Sequence, residues 1–512
     1  MKKGQTILFV IVIVVLATVG YFYFPNDVWA SPGIGGSKIL FPGQFAKEVT
    51  PTPTLLECID SDGGDVYTKG NVRVYIPSDP GYITYWDECI STEEVKEWVC
   101  EDNQAVALSF DCDFGCDDGA CAPPPWIQEQ KLVASDAYGG QMLGSSAAID
   151  GNVAILGAVG DDDLGDESGS AYIYRFDGNE WIEEQKLLAS DGAEDDQFGY
   201  SVSISGNVAV VSAPFDDDLA SDSGSAYIYR FNGTDWVEEQ KLVVSDGVAA
   251  DRFGRSVSVF DDVIMVGASG VSGANGRNYG AVYVFRLDGS VWIQQQKLLT
   301  SDGAKSDSFG WSVSVSNNTV LVGAKGNDDH GLSSGSAYVF SFNGVDWSGE
   351  QKLTASDAEQ WEQFGWSVDV ASDVAVIGAN QDNDSGLNSG SAYVFRFNGV
   401  NWIEEKKLLA SDGAEGDKFA SIVSIDGNTA VVGAQFHDWE GSTDLGAAYV
   451  YRFNGIDDWI EERKFKGDDS YRLDEFGSAV AVCDDVIVAG AMGEDSGYMT
   501  TGAAYIFRAS EE

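Results

Sequence analysis

The stretch of sequence that decides the fold is residues 181–235, WIEEQKLLASDGAEDDQFGYSVSISGNVAVVSAPFDDDLASDSGSAYIYRFNGTD. Apolar and polar residues alternate in it from Tyr200 to Ile204, which is the two-residue period of a β-strand. No segment of it has the period of a helix. With the run just before it, this stretch predicts a unit of four strands: Ala171–Phe176, Trp181–Leu187, Phe198–Ile204 and Val208–Ala213.

The unit recurs along the chain. A tryptophan marks each of seven copies: Trp126, Trp181, Trp236, Trp292, Trp347, Trp402 and Trp459. A lysine stands five residues after each of them, and successive lysines are 55–57 residues apart: Lys131, Lys186, Lys241, Lys297, Lys352, Lys407 and Lys464. Seven copies of a four-stranded unit are typical of a closed ring of sheets, so we predict an all-β, seven-bladed β-propeller over residues 126–510.

The two ends of the array indicate how the ring closes. The array opens with a Trp strand, residues 126–132, and finishes with Ala504–Arg508, which no further Trp strand follows. We therefore predict that strand 126–132 pairs into the last blade, because pairing the first segment with the last removes an exposed sheet edge. An open stack of sheets is the alternative, and it would leave both ends unpaired.

A second pair of motifs marks the beginning and end of the inner strands. Phe-Gly begins one strand in five copies: Phe198-Gly199, Phe253-Gly254, Phe309-Gly310, Phe364-Gly365 and Phe476-Gly477. Gly-Ala or Ser-Ala ends the next strand, as in Gly267-Ala268 and Ser212-Ala213. This pattern resembles FG-GAP repeats, best known from the head of integrin alpha chains and also found in bacterial and archaeal surface proteins. The resemblance covers about residues 126–508 and implies that the Phe-Gly strand is innermost; copies one and six depart from it with Leu143-Gly144 and Phe419-Ala420.

The resemblance also raises the question of calcium. Integrin-type blades carry a calcium loop, DxDxDGxxD, between the Phe-Gly and Gly-Ala strands, but here that link is a short turn such as Ser205-Gly206-Asn207. Those calcium sites are therefore not carried over. After the Gly-Ala strands, alternating Asp or Asn residues could aim oxygens at one cation, although the same residues are typical of plain turns. We favour plain turns and keep weakly bound calcium, the one candidate cofactor, as a hypothesis at Asp161, Asp163, Asp216, Asp218, Asn327, Asp329, Asp382 and Asp384.

Repetition separates structural from functional candidates. A Ser-Asp pair such as Ser190-Asp191 recurs in six copies, and a residue needed in every copy is a turn or blade contact, so we predict no catalytic residue there. The Trp column is likewise a packing element. The aromatic residues that we expect to contact a partner lie outside that column, beside the loops of one face: Trp311, Trp361, Trp366 and Trp439.

The charge balance excludes some partners. The chain has 512 residues, with 30 Lys and Arg against 82 Asp and Glu, and a formal net charge of −52. Binding to nucleic acid or to an anionic lipid surface needs clustered basic residues, so we expect neither. If both long loop types of each blade share one face, 37 of the 82 acidic residues crowd that face. Adaptation to salty surroundings is an alternative cause of the acidity.

The N-terminal residues predict export. Lys2 and Lys3 precede an apolar run from Ile7 to Phe24, which is about the length needed to cross a bilayer as a helix. We predict a membrane anchor or signal segment over residues 1–30, with the N-terminus inside and the C-terminus outside, followed by a linker over 31–56. If the segment is cleaved, as the run 28–30 permits, the protein is secreted. A short archaeal pilin-type leader, Lys2 to Gln5, is a third alternative.

Cysteine spacing agrees with export. Six cysteines fall in a module over residues 57–121, and we predict that they form disulfides in one of fifteen connectivities: Cys58, Cys89, Cys100, Cys112, Cys116 and Cys121. Zinc is the alternative, but the usual CxxC pairs and a nearby histidine are missing. Cys483 stands apart, on an apolar strand pattern.

Two classes of function fit these features. The preferred one is a membrane-tethered extracellular binding or adhesion protein, not an enzyme, that presents an acidic loop face to a protein, glycan or envelope partner. The alternative is an exported carbohydrate-active enzyme that uses carboxylates in the central face of the propeller. A unique acid pair about 5–10 Å apart in the central depression would favour the enzyme.

Overall fold

The computed structural model describes residues 126–509 apart from 273–278, 440–442, 457 and 496–499, together with the backbone of eight strands between residues 58 and 121. The predicted anchor over residues 1–30 and the linker over 31–56 lie outside the described residues. The described residues contain no helix that is long and apolar enough to cross a bilayer. The chain divides into two compact units, residues 1–122 and 123–512.

The first unit contains three small antiparallel sheets within its described strands. Strands β1–β3, β4–β6 and β7–β8 form these sheets: β1 (Cys58–Asp60), β2 (Asn71–Ile76), β3 (Gly81–Trp86), β4 (Glu88–Ser91), β5 (Glu94–Glu101), β6 (Gln104–Asp111), β7 (Cys116–Asp117) and β8 (Ala120–Cys121). The backbone register places Cys116 opposite Cys121. The side chains of the six cysteines lie outside the described residues, so the predicted disulfides stay a prediction.

The second unit is a seven-bladed propeller of four-stranded antiparallel sheets, as the sequence predicts. Blades 1 to 3 are formed by β10 (Leu143–Asp150), β11 (Val153–Ala158), β12 (Ser170–Phe176) and β13 (Trp181–Leu187); β14 (Val202–Ser205), β15 (Val208–Ala213), β16 (Ser225–Phe231) and β17 (Trp236–Leu242); β18 (Phe253–Phe260), β19 (Val263–Ala268), β20 (Ala281–Asp288) and β21 (Val291–Leu298). Blades 4 and 5 are formed by β22 (Val313–Ser316), β23 (Thr319–Ala324), β24 (Ser336–Phe342) and β25 (Trp347–Leu353); β26 (Val368–Ala371), β27 (Val374–Ala379), β28 (Ser391–Phe397) and β29 (Trp402–Leu408). Blades 6 and 7 are formed by β30 (Ile422–Asp426), β31 (Thr429–Ala434), β32 (Ala447–Phe453) and β33 (Trp459–Phe465); β34 (Phe476–Cys483), β35 (Val486–Ala491), β36 (Ala503–Ala509) and β9 (Trp126–Leu132).

The ring closes as predicted. Strand β9, which follows the first unit, pairs antiparallel with β36, and the register joins Trp126 to Ala509 and Leu132 to Ala504. The last blade thus takes its outermost strand from the start of the propeller, and no blade is left with three strands. Because the first and last segments hold each other, neither presents an open sheet edge at the junction.

The hydrophobic core lies between neighbouring blades. One cluster joins Ile155 and Ile173 of blade 1 to Val211 and Tyr227 of blade 2, and equivalent clusters follow around the ring. The tryptophans of the column are at most 6% exposed, which confirms that they are packing elements: Trp126, Trp181, Trp236, Trp292, Trp347, Trp402 and Trp459. Burial of such large aromatic side chains stabilises the contact between blades and fixes their angular spacing.

The Phe-Gly motif joins each blade to the previous one. Phe198 is fully buried, its ring packs edge-on against Tyr227, and its backbone pairs with Gly169 of blade 1. Gly199 has φ +95°, and a Cβ there would lie 2.2 Å from the carbonyl oxygen of Ser170. Only glycine fits such a backbone without strain. In this blade β14 begins at Val202, later than the start of the predicted strand 198–204.

Candidate functional site

The long loops of one face are held together by a ring of lysines. In blade 1, the ammonium group of Lys186 lies 2.8 Å from each of three carboxylates, those of Asp136, Asp161 and Asp163. Asp136 belongs to the loop that enters the blade, and Asp161 and Asp163 belong to the loop between β11 and β12. Both long loop types therefore meet at the same face, as the strand directions predict.

The same arrangement recurs around the propeller. Lys241 contacts Asp191, Asp216 and Asp218, and Lys407 contacts Asp357, Asp382 and Asp384. The other lysines of the column pair with fewer carboxylates: Lys131 with Asp469 and Glu494, Lys297 with Asp246, Lys352 with Asp302 and Asp329, and Lys464 with Asp412. The column lysines thus contact many carboxylates of this face, but seven lysines balance only a minor part of its negative charge.

Charge and burial compete in each of these clusters. Burial acts to lower the pKa of Lys241, but hydrogen bonds to its three aspartates outweigh it and raise the pKa above the ordinary value. Burial likewise acts to raise the pKa of Asp216, but the hydrogen bond from Lys241 outweighs it and lowers that pKa. Lys241 and Asp216 are therefore both charged at neutral pH. Each charge offsets the free-energy cost of burying the other.

The predicted calcium ligands lie in these clusters. In the loops of blades 1, 2 and 5, the first carboxylate is buried and accepts a hydrogen bond from the backbone N–H two residues later, as Asp216 does from Asp218 at 2.9 Å. Asn327 of blade 4 accepts the same bond from Asp329. Lysine occupies the place of a cation beside Asp161, Asp163, Asp216, Asp218, Asp329, Asp382 and Asp384. Among the residues that the structure describes, no group of three or more His, Cys, Asp or Glu side chains is placed to hold a metal ion. Calcium stays a prediction, and it would have to displace the lysine.

The recurring Ser-Asp pairs join neighbouring blades. The backbone N–H and hydroxyl of Ser190 donate to Glu238 of the next blade at 3.0 and 2.8 Å, and Tyr227 donates to Asp191 at 2.8 Å. Equivalent bonds hold Ser135, Ser301, Ser356 and Ser411. This confirms the structural interpretation of the motif.

The innermost strands surround a central channel of about 580 Å³. Its small side chains serve the structure first. Ser201 and Ser203 accept hydrogen bonds from the backbone N–H groups of Val257 and Val259 in the next blade, at 3.1 and 3.0 Å. These N–H groups face the channel from an edge strand and would otherwise lack a partner. The hydroxyl oxygens of these serines thus provide the hydrogen-bond acceptors that a further strand would provide.

One carboxylate lies among the residues that line this channel, and it has the same structural role. Asp369 accepts hydrogen bonds from the Ser314 hydroxyl at 2.7 Å and from the backbone N–H of Ile425 at 2.8 Å. Burial raises the pKa of its carboxyl, although these hydrogen bonds oppose the shift. A second carboxylate at catalytic distance is absent from the described lining, so the acid pair that would favour an enzyme is not found there.

Two positions of the repeat break the symmetry of the ring. The residue after Phe-Gly, or its equivalent, differs from blade to blade: Ser145, Tyr200, Arg255, Trp311, Trp366, Ser421 and Ser478. The residue after Gly-Ala, or its equivalent, differs as well: Val159, Pro214, Ser269, Lys325, Asn380, Gln435 and Met492. Both positions lie at the loop-face end of the inner strands, where the channel opens. At the first position the large residues fall in blades 2 to 5 and serine stands in blades 6, 7 and 1, and at the second position the one charged residue is Lys325 of blade 4.

Five of these residues form what we call the mouth cluster: Tyr200, Arg255, Trp311, Lys325 and Trp366. The guanidinium carbon of Arg255 lies 4.7 Å from the ring centre of Tyr200 and 3.7 Å from that of Trp311. The ammonium group of Lys325 lies 3.1 Å from the ring centre of Trp311 and 3.9 Å from that of Trp366. Aromatic rings and cations therefore alternate across four blades, an arrangement stabilised by cation–π attraction.

The two cations of the mouth cluster differ from the column lysines in lacking acidic partners. Within the described residues, neither Arg255 nor Lys325 forms an ion pair, and the buried Nε of Arg255 has no hydrogen-bond partner. Burial lowers the pKa of Lys325 to about 7, and the nearby charge of Arg255 adds to the shift. Burial lowers the pKa of Arg255 to about 10. Two like charges are thus held side by side and partly desolvated.

The four tryptophans predicted to contact a partner lie in three different places. Trp311 and Trp366 come together in the mouth cluster, with ring centres 5.2 Å apart. Trp361 lies on the loop face and is 50% exposed. Trp439 packs under the ammonium of Lys464 at 3.9 Å and donates its indole N–H to the carbonyl of Gly446, so it belongs to the lysine ring. Sequence reasoning missed Tyr200, Arg255 and Lys325, although the variable column after Phe-Gly was a signal that could have found the first two.

The comparison with family models agrees with this architecture. A family model described as FG-GAP repeat matches seven segments that follow the repeat: 126–174, 181–229, 236–285, 292–340, 347–395, 402–451 and 459–507. A search of curated proteins finds no match to the chain. Among solved structures, the chain is similar to Sqt1 of Saccharomyces cerevisiae, with 12% identity and a TM-score of 0.41, over 71% of this chain and 83% of that one.

Proposed function

The chain belongs to the FG-GAP repeat family, and on that premise we propose that it is an extracellular binding protein of the adhesion type, without catalytic activity. Its partner is a protein, a glycan or an envelope component. Residues 1–30 hold it in the membrane with the N-terminus inside and the propeller outside, or are cleaved to release it. An FG-GAP propeller is consistent with an extracellular binding role.

One observation carries the proposal, and it is the asymmetry of the mouth cluster. Contacts that hold the ring together recur in every blade, and the repeated tryptophans and lysines provide them. The positions after Phe-Gly and Gly-Ala instead concentrate aromatic and cationic side chains in blades 2 to 5. Loops and strand ends on a rigid scaffold are where binding residues are expected, and half-buried Trp, Tyr and Arg are the side chains most often found at binding hot spots.

The acidic rim around the mouth supports a binding role more than a catalytic one. Its carboxylates recur from blade to blade, and many are engaged by the column lysines. The described channel lining has the single carboxylate Asp369, which two backbone N–H groups and a serine already occupy. The carbohydrate-active enzyme requires a free acid and a second carboxylate, so nothing in the described site favours it.

A capture experiment tests the proposal. Full-length protein on beads is exposed to an array of glycans and to solubilised cell-envelope extract, beside the double variant Trp311→Ser/Trp366→Ser. Serine stands at the same position in blades 1, 6 and 7, so the backbone accepts it. Trp361→Ser is the matched control, because it removes an exposed tryptophan from the same face.

We expect the wild type and the Trp361→Ser control to capture the same partner and the double variant to lose it. Absence of a captured partner with the wild type, or capture by the double variant as strong as that by the wild type, contradicts the proposed function.

A further inference from the structure

The mouth cluster also indicates the chemistry of its ligand, and this step rests on the proposed function. We propose that the mouth cluster binds the carboxylate of an acidic sugar, with Arg255 and Lys325 as the groups that bind the anion.

The first argument is the unpaired charge. Seven column lysines in this chain have carboxylate partners within 3 Å, yet Arg255 and Lys325, which both lie over the ring of Trp311, have none in the described residues. Desolvating two cations side by side costs free energy that an anion of the ligand would recover. Acidic residues are abundant in this chain, which has a net charge of −52, so their absence beside these two cations in the described residues is notable.

The second argument limits how much charge the ligand carries. The mouth is surrounded by an acidic rim, and exposed carboxylates such as Asp163 and Asp218 remain at its surface. A densely charged polyanion would be repelled by this rim. A ligand with isolated carboxylates on an otherwise neutral chain places its charge next to Arg255 and Lys325, at the edge of the Trp311 ring, and presents no further charge to the rim.

The third argument favours a sugar over a peptide. A peptide binds an open sheet edge by pairing with backbone N–H groups. Here the inner-strand N–H groups of Val257, Val259 and Val315 are already satisfied by serine hydroxyls of the preceding blade. What remains accessible is an aromatic wall next to polar side chains such as Gln435, which suits a ring that has apolar C–H faces and hydroxyl groups.

Calorimetry with simple probes tests the inference. Full-length protein is titrated with methyl β-D-glucuronide, with the neutral methyl β-D-glucoside and with acetate. Lys325→Met keeps a flexible chain between the two indoles but removes the charge, and Lys325→Arg restores the charge. Lys305→Met is the matched control, because Lys305 is an exposed lysine of the same loop face.

We expect the glucuronide to bind at least about tenfold more tightly than the glucoside, since hydrogen bonds to charged groups contribute that much. It should also bind more tightly than acetate, because acetate has the carboxylate but lacks the sugar ring. Lys325→Met should lose about tenfold in affinity for the glucuronide, and Lys325→Arg and Lys305→Met should lose little. Circular dichroism and melting curves confirm that each variant is folded.

Three results would overturn the inference. The first is no binding of the glucuronide at a probe concentration of roughly 50 mM, which is the weakest Kd that we would count as binding. The others are equal binding of glucuronide and glucoside, and unchanged glucuronide binding by folded Lys325→Met. Acetate binding as tight as that of the glucuronide would also overturn the sugar assignment. If the capture experiment still depends on Trp311 and Trp366 in these cases, the proposed function stands and the ligand class is wrong.

Discussion

Replacement of Glu362 by glutamine should make the propeller more stable at neutral pH. Glu362 lies two residues before Phe364, is 6% exposed, and accepts a hydrogen bond from the backbone N–H of Glu359 at 2.7 Å. Burial and the nearby charge of Asp382 raise the pKa of Glu362 from 4.5 to about 7. Blade 1 already has an amide at this position: Gln141 donates to Asp161 at 2.8 Å.

The size of the effect follows from the shift in pKa. One pKa unit corresponds to about 1.4 kcal/mol, so a shift from 4.5 to about 7 sets an upper limit near ~3 kcal/mol. Solvent at the loop face screens part of this, and we expect about 1–2 kcal/mol. The folded pKa lies above the unfolded one, so the wild type loses stability as pH rises from about 4.5 to about 7, and the glutamine variant does not.

Melting temperatures and urea midpoints measured from pH 4 to pH 8 check this prediction. Glu362→Gln should gain on the wild type as pH rises, and the two should converge near pH 4. Glu359→Gln removes the same charge from an exposed position three residues earlier and should give a smaller gain. A variant that is less stable than the wild type at pH 8, or one whose advantage is the same at pH 4 and pH 8, refutes the reasoning.

Other predictions follow from the lysine ring, the Phe-Gly turn and the mouth. Lys241→Met should destabilise the propeller by about 3 kcal/mol in urea denaturation, because it leaves Asp216 buried and unpaired, and adding Asp216→Asn should recover much of the loss; equal stability of wild type and single variant contradicts this. Ala420→Gly should raise the unfolding free energy by ~1 kcal/mol, because Ala420 has φ +65° where five other copies have glycine after phenylalanine, and a loss of stability would refute it. If the alternate carboxylates bind calcium weakly, calorimetry at millimolar calcium should give more heat with Lys241→Met than with wild type, and no heat with either ends that prediction. Glucuronide affinity should fall as pH rises above about 7, because the pKa of Lys325 is lowered to about 7 and Arg255 is the charged group facing it; a flat pH profile between 6 and 9 would contradict this assignment.

Sequence reasoning recovered the fold because the fold depends on repeated residues. The period of the Trp and Lys columns gives the number of blades, and the missing last Trp strand gives the closure through β9. Three predicted runs agree closely with strands: 181–187, 208–213 and 171–176. The fourth was too long, since β14 begins at Val202 and not at Phe198.

The candidate site was only partly predictable. Trp311 and Trp366 were predicted as residues that contact a partner, but their contact with each other and with Lys325 exists only when the ring brings the ends of blades 4 and 5 together. The cation–π contacts of the mouth cluster join residues 14 to 56 positions apart and leave no local sequence pattern. The lysine column was visible as a repeat, but its carboxylate partners come from two loops, one of them before the blade, so the spacing alone did not show the pairing.

Indole N–H signals in a ¹H–¹⁵N spectrum test most directly the claim that ligands bind at the mouth cluster. The chain has 14 tryptophans, and single Trp→Ser variants assign the signals of Trp311, Trp361, Trp366 and Trp439. On titration with methyl β-D-glucuronide, the account predicts that the signals of Trp311 and Trp366 move together with one binding curve, whereas those of Trp361, Trp439 and the buried column stay in place. Signals that move at Trp361 or Trp439 but not at Trp311 and Trp366, or no movement at all, would contradict it.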